Sequence, residues 1–153
     1  MQIRIDDLEG GDVLLLLEEH LADMYAVSPP ESVHALDVVA LKDPAITFFS
    51  AWQGEQLQGC VAIKELDNKH AEIKSMRTTA SARNKGVASG LLQHTLDICN
   101  QRGYEKVSLE TGSMDYFLPA RRLYEKFGFS YCDPFASYQP DPLSAFMTLE
   151  LSR

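Results

Sequence analysis

Apolar positions along this chain switch between a spacing near two and one near 3.6, the periods at which strands and helices bury a face. Residues 2–6 alternate as a short first strand. Asp12 is placed to cap a helix in which Leu14, Leu17, Leu21 and Met24 share a side, and Ser28-Pro29-Pro30 breaks it. Ser32 restarts the pattern as a shorter helix over residues 33–41, closed by Asp43-Pro44. Residues 47–52 and 57–65 are β-rich and flank Gln53-Gly54-Glu55-Gln56, the signature of an antiparallel hairpin. A turn at 66–69 leads into a strand beginning at Ala71. On it Glu72, Lys74 and Met76 are expected on one face and Ile73, Ser75 and Arg77 on the other. Neither face is apolar, a mixture that fits a strand interrupted by a bulge, where backbone N–H groups leave the ladder.

That strand opens the stretch the chain is arranged around, residues 71–90. It loosens into small polar residues, passes Arg83 and Lys85, and re-forms at Gly86 as a helix running to about Arg102. Ala88, Leu91, Leu92, Thr95, Leu96 and Cys99 form its stripe, with Gly103 as terminator. The first turn of a helix leaves N–H groups unpartnered at the positive end of its dipole, so a strand-to-helix turn with two basic residues is an anion site. Residues 106–111 form the next strand, and strand, helix, strand implies a right-handed parallel crossover. Pro119 suits a helix start, Ala120, Leu123, Tyr124 and Phe127 make its buried side, and Gly128 ends it. Residues 129–132 and 145–151 complete the sheet. Between them, residues 133–142 hold three prolines with Phe135 and Tyr138, and serve either as a substrate lid or as a rigid connector.

A chain of 153 residues with 45% hydrophobic content suits one domain, residues 1–153. A net charge of −8 argues against nucleic-acid and anionic-membrane partners and makes a cationic amine the easier guest. Cys60, Cys99 and Cys132 show neither metal spacing nor a disulfide pattern, and read as reduced core thiols of a cytoplasmic protein. His70 and His94 have no partner at metal spacing and are expected at the surface, and His20 is expected to be an exposed or capping residue. No metal is expected. Gly-x-Gly-x-x-Gly and P-loop patterns are absent.

The spacing Arg83-x-x-Gly86-x-Ala88 on a strand-to-helix turn resembles the cofactor signature of the GNAT superfamily of acyl-CoA-dependent N-acyltransferases. The resemblance continues through Tyr104-Glu105-Lys106-Val107-Ser108-Leu109-Glu110 and Leu123-Tyr124-Glu125-Lys126-Phe127-Gly128-Phe129, and covers residues 60–132. It implies an α/β fold with a mixed, mostly antiparallel sheet, a central splayed parallel strand pair and about four helices. It also implies acetyl-CoA as cosubstrate, attacked directly by a primary amine in a ternary complex. Acyl-CoA would be held by Met76, Arg77 and Thr78 on the strand, by Arg83, Asn84, Lys85, Gly86, Val87, Ala88 and Ser89 at the turn, and by Thr111, Ala120, Tyr124 and Lys126. One departure stands out. Seven residues before Tyr124, where the family often carries an asparagine that contacts the cofactor, this chain has Phe117, and Ser113 or Asp115 is the nearest substitute.

Amine acylation by a thioester needs a proton acceptor, an oxyanion donor and a way to stabilise the leaving thiolate. Glu72 opens the central strand where several branches of the superfamily carry a base, and Glu110 is the reserve. A carboxylate is a far weaker base than an alkylamine, so it must be desolvated or act through water. The backbone N–H near Met76 is the expected oxyanion donor, and Tyr124 the expected hydrogen-bond donor to the thiolate. His34, Glu72, Glu110 and Tyr138 are the candidates for the acceptor pocket. A small amine is the expected acceptor; a protein N-terminus or lysine is the alternative, and a non-catalytic acyl-CoA sensor the second. The expected assembly is a monomer or homodimer.

Overall fold

Gly54 adopts a left-handed φ of 60°, which lets a tight turn join two long strands into the hairpin that founds the sheet. The computed structural model describes residues 1–30 and 38–151. Its elements in order are β1 (Gln2–Ile5), α1 (Gly11–Val27), α2 (Val38–Leu41), β2 (Ile46–Gln53), β3 (Gln56–Asp67), β4 (His70–Thr78), α3 (Val87–Gln101), β5 (Lys106–Gly112), α4 (Leu118–Lys126), β6 (Ser130–Tyr131) and β7 (Ser144–Glu150). The strands form one sheet in the order β1-β2-β3-β4-β5-β7-β6. Only β4 and β5 run parallel; every other pairing is antiparallel. The last strand therefore inserts between β5 and the short β6 instead of extending the edge.

Alternation along β2 and β3 sends side chains to two cores. Phe49, Ala51, Val61 and Ile63 meet Leu91, Leu92 and Cys99 of α3 on one face. Phe48, Cys60 and Ala62 meet Val13, Leu16 and Leu17 of α1 on the other. Leu91 and Leu92 are 0% exposed, and truncating either to alanine costs roughly 2–5 kcal/mol. On α1 the buried stripe is Val13, Leu16 and Leu17, with Leu14 only half-buried, so the buried face differs from the expected one. Gly10 occupies the N-cap position and Asp12 lies in the first turn, where its charge favours the helix dipole without capping. Of the expected second helix, residues 38–41 are described and helical; the remainder lies outside the described residues.

The bulge in β4 is real and reverses the expected faces beyond it. Lys74 pairs with Ala62 and Arg77 with Cys60, so Ser75 and Met76 together oppose the single Val61. Ser75 takes a φ of 54° to accommodate the extra residue. Met76 consequently joins Ile73 in the α3 core, while Arg77 faces α1 with Lys74. No helix among the described residues is long and apolar enough to cross a membrane.

Candidate active site

The parallel pairing of β4 with β5 runs only from His70 and Lys106 to Ile73 and Leu109, although β4 continues to Thr78 and β5 to Gly112. Past that point the two strands part. The gap belongs to a cleft of about 610 Å³ whose walls are β4, β5, the start of α3, α4 and part of α1.

At one end lies the turn into α3. Asn84 and Gly86 are left-handed, with φ of 61° and 80°. Alternating backbone hand turns successive N–H groups to one side, the geometry of an anion nest. The first helical bond of α3 is Gly90 N–H to Gly86 O, at 3.0 Å, and no side chain caps the helix. The amides of Val87, Ala88 and Ser89 thus have no helical partner. A Cβ on Gly86 would meet nothing within 4 Å, so it is the backbone conformation that selects glycine.

At the other end Glu72 is 2% exposed, and its Oε2 accepts from Tyr138 OH at 2.6 Å and from Lys74 Nζ at 3.1 Å. Lys74 Nζ also donates to Tyr138 OH at 2.7 Å and lies 5.4 Å from the centre of its ring. The three groups close a ring of hydrogen bonds. Burial and the adjacent Glu72 carboxylate push the Tyr138 hydroxyl well above its usual pKa, so it stays a donor. The loop bearing Tyr138 is held by aromatic packing: Phe135 lies 5.2 Å from Tyr138, 5.9 Å from Phe146 and 5.9 Å from His70, centre to centre. His70 is half-buried, not a surface residue, and pairs through Nε2 with Ser108 Oγ at 2.7 Å. His94 is likewise half-buried, edge-on to Phe49.

Between the ends stands Tyr124, 7% exposed, its ring against Phe129 at 5.7 Å. Burial raises its pKa and its hydroxyl pairs with no described residue. Such a hydroxyl is a hydrogen-bond donor, not a proton source near neutrality. Phe117 fills the adjacent wall: a Cβ on Gly112 would fall 1.9 Å from its ring, so that glycine is required sterically. Neither suggested substitute for a polar group there reaches the cleft. Ser113 donates to Pro142 O at 2.6 Å, and Asp115 is not among the lining residues.

The remaining candidates fall on both sides of this boundary. Met76, Arg77, Thr78, Arg83, Asn84, Gly86, Val87, Ala88, Ser89, Thr111 and Ala120 line the cleft, as does Glu110. Lys85 and Lys126 do not line it, and Arg77 turns away from the helical turn to pair with Asp23 of α1. His34 lies outside the described residues. The sequence reading did not place Lys74, nor His20 and Met24 of α1 and Ser28 just after it, in the cleft. A signal for Lys74 existed: two residues from Glu72 on a strand puts it on the same face. His20 is half-buried and its pKa is lowered to about 4, first by desolvation and then by Arg77, so it is neutral near pH 7. The cysteines are elsewhere, and burial pushes Cys60 up to about 12 and Cys99 to about 11.

Residues 14–129 match the Acetyltransferase (GNAT) family. Among individual proteins, the chain is 59% identical to the uncharacterised N-acetyltransferase YsnE of Bacillus subtilis, over 99% of this chain and 100% of that one. It is 48% identical to the uncharacterised N-acetyltransferase YedL of Escherichia coli, over 97% of this chain and 94% of that one. Among solved structures, a Bacillus subtilis acetyltransferase in complex with CoA shares the fold with a TM-score of 0.69 at 18% identity, over 99% of both chains.

Proposed function

Because the chain belongs to the acetyltransferase (GNAT) family and is an N-acetyltransferase, we propose that it moves an acetyl group from acetyl-CoA to a primary amine on a small molecule. The observation that carries this reading is the continuity of one cleft from uncapped helix amides, through the gap between β4 and β5, to a buried carboxylate. The diphosphate of the donor sits on the amides of residues 83–88 with Arg83 beside it. Its pantetheine arm follows Met76 to Thr78, which line the cleft, into the gap.

In a ternary complex the amine attacks the thioester carbonyl, the C–N bond forms, and the oxyanion is held by the N–H near Met76, which the bulge frees from the ladder. Glu72 takes the amine proton, directly or through water. Its Oε2 is engaged by Lys74 and Tyr138, which leaves Oε1 for the acceptor. As the carbonyl re-forms, the C–S bond breaks and the Tyr124 hydroxyl donates to the departing thiolate. Direct attack is favoured over a thiol acyl-enzyme because no cysteine lines the cleft.

A small acceptor is favoured over a protein segment because Glu72 is 2% exposed and the loop carrying Tyr138 is packed down over it. Replacing Glu72 by glutamine tests the assignment: kcat for acetyl transfer falls by roughly 10²–10⁴-fold at neutral pH, while calorimetry shows an unchanged Kd for acetyl-CoA. An unaltered pH–rate profile would remove Glu72 as the base. Equal affinity for CoA and for pantetheine lacking phosphate would remove the diphosphate site.

A further inference from the structure

The acceptor wall of the cleft carries hydrogen-bond donors that the described residues leave partly unused. Arg77 Nε is buried and unpartnered among the described residues, although Arg77 Nη2 holds Asp23 Oδ2 at 2.5 Å and the side chain is only 11% exposed. Ser75 Oγ, on the bulge, is likewise buried with no partner among the described residues. Lys74, 8% exposed at its side chain, spends two of its three N–H groups on Glu72 and Tyr138. A buried donor left unmade is costly, on the order of 1–3 kcal/mol, so such groups together mark a place where a ligand brings acceptors.

The buried charges at this wall are largely paired within the chain. The carboxylates of Glu72 and Asp23 are each engaged by a cation of the chain itself. Lys74 and Arg77 are in turn neutralised by those carboxylates, and Glu110 also lines the cleft, so charge alone does not select the acceptor and the unmade hydrogen bonds do. Neither cation serves the diphosphate, which in the proposed arrangement sits at the turn into α3, whereas Arg77 faces α1 across the sheet.

Resting on the acetyl-transfer reading above, we infer that the acceptor carries a carboxylate near its amine, as an amino acid does, and that Lys74, Ser75 and Arg77 receive that carboxylate while Glu72 faces the amine. A planar carboxylate offers two oxygens with about four lone-pair sites, matching the unspent N–H and O–H groups. Analogues that lack it leave those donors buried and unpaired, which is the condition for strong discrimination.

The test compares each common free amino acid with its carboxamide and its decarboxylated amine as acetyl acceptors, reading CoA thiol release. The expected result is at least one free acid whose kcat/KM exceeds that of both its analogues by about tenfold or more. Arg77→Lys, which keeps the charge and removes the Nε donor and planar fork, lowers that acid-to-amine ratio. Amides or plain amines used as well as the acids overturn the inference and leave acetyl transfer standing. So does a protein that binds acetyl-CoA by calorimetry yet acetylates none of the acids. Failure to bind acetyl-CoA at all overturns the acetyl-transfer reading, and this inference with it.

Discussion

Tyr124 is the residue at which packing and chemistry make opposite demands. Its ring belongs to the buried side of α4, yet its hydroxyl reaches no described partner. That hydroxyl is not one of the fully buried unpartnered atoms, so it opens on the cleft that Tyr124 lines and meets solvent there. Removing it breaks no hydrogen bond to a described residue, so Tyr124→Phe should melt within about 1 kcal/mol of the parent. If the hydroxyl serves the leaving sulfur, kcat falls by roughly ten- to a thousandfold with Kd for acetyl-CoA unchanged, and a thioester of a more acidic thiol recovers much of the loss. Normal turnover by the variant would return Tyr124 to a packing role. Tyr124 could be singled out from sequence because the motif around it is local. The bonds from Tyr138 to Lys74 and Glu72 span 64 and 66 positions, and no periodicity encodes such a meeting. His70 and His94 were misplaced for the same reason: what half-buries them, Phe135 and Phe49, comes from other elements.

Among the elements, the turn into α3 and the bulge in β4 set the site. Both rest on left-handed backbone, Gly86 at φ 80° and Ser75 at φ 54°. Gly86→Val would cost about 1–2 kcal/mol in backbone conformation and pull the uncapped amides out of line. Circular dichroism should show a retained fold, while calorimetry shows CoA affinity lowered tenfold or more; tight CoA binding by the variant would dismiss the anion site. The hairpin, α3 and α4 were legible because turn residues and helical stripes act within a few positions. The bulge was legible only as a mixed pattern, and its consequence was not, because one inserted residue inverts every face after it. That inversion puts Arg77 against α1 and Met76 in the core. The insertion of β7 between β5 and β6 likewise depends on pairing between distant segments, which no local spacing records.

At the scale of the whole molecule, α1 is joined to β4 by the Asp23–Arg77 pair and by His20, which is half-buried and feels the charges of both. This contact gives the fold a defined acid sensitivity. His20 has a folded pKa of about 4 against 6.5 in the unfolded chain, with desolvation the main cause and Arg77 the next. Between those values the unfolded chain binds a proton that the folded one refuses, so stability falls as pH falls. The contribution is fully present above pH 6.5 and is lost progressively down to about pH 4, by which point the loss amounts to roughly 3 kcal/mol. Carboxylates titrate over part of the same range, so the parent must be compared with a chain that differs only at this position. His20→Gln has no proton to take up there and should lose less stability between pH 7 and pH 4.5. Urea midpoints measured across that window should converge for the two proteins as pH falls, or cross. Parallel curves would mean that His20 is solvated in the folded state, and that α1 does not seal this end of the cleft.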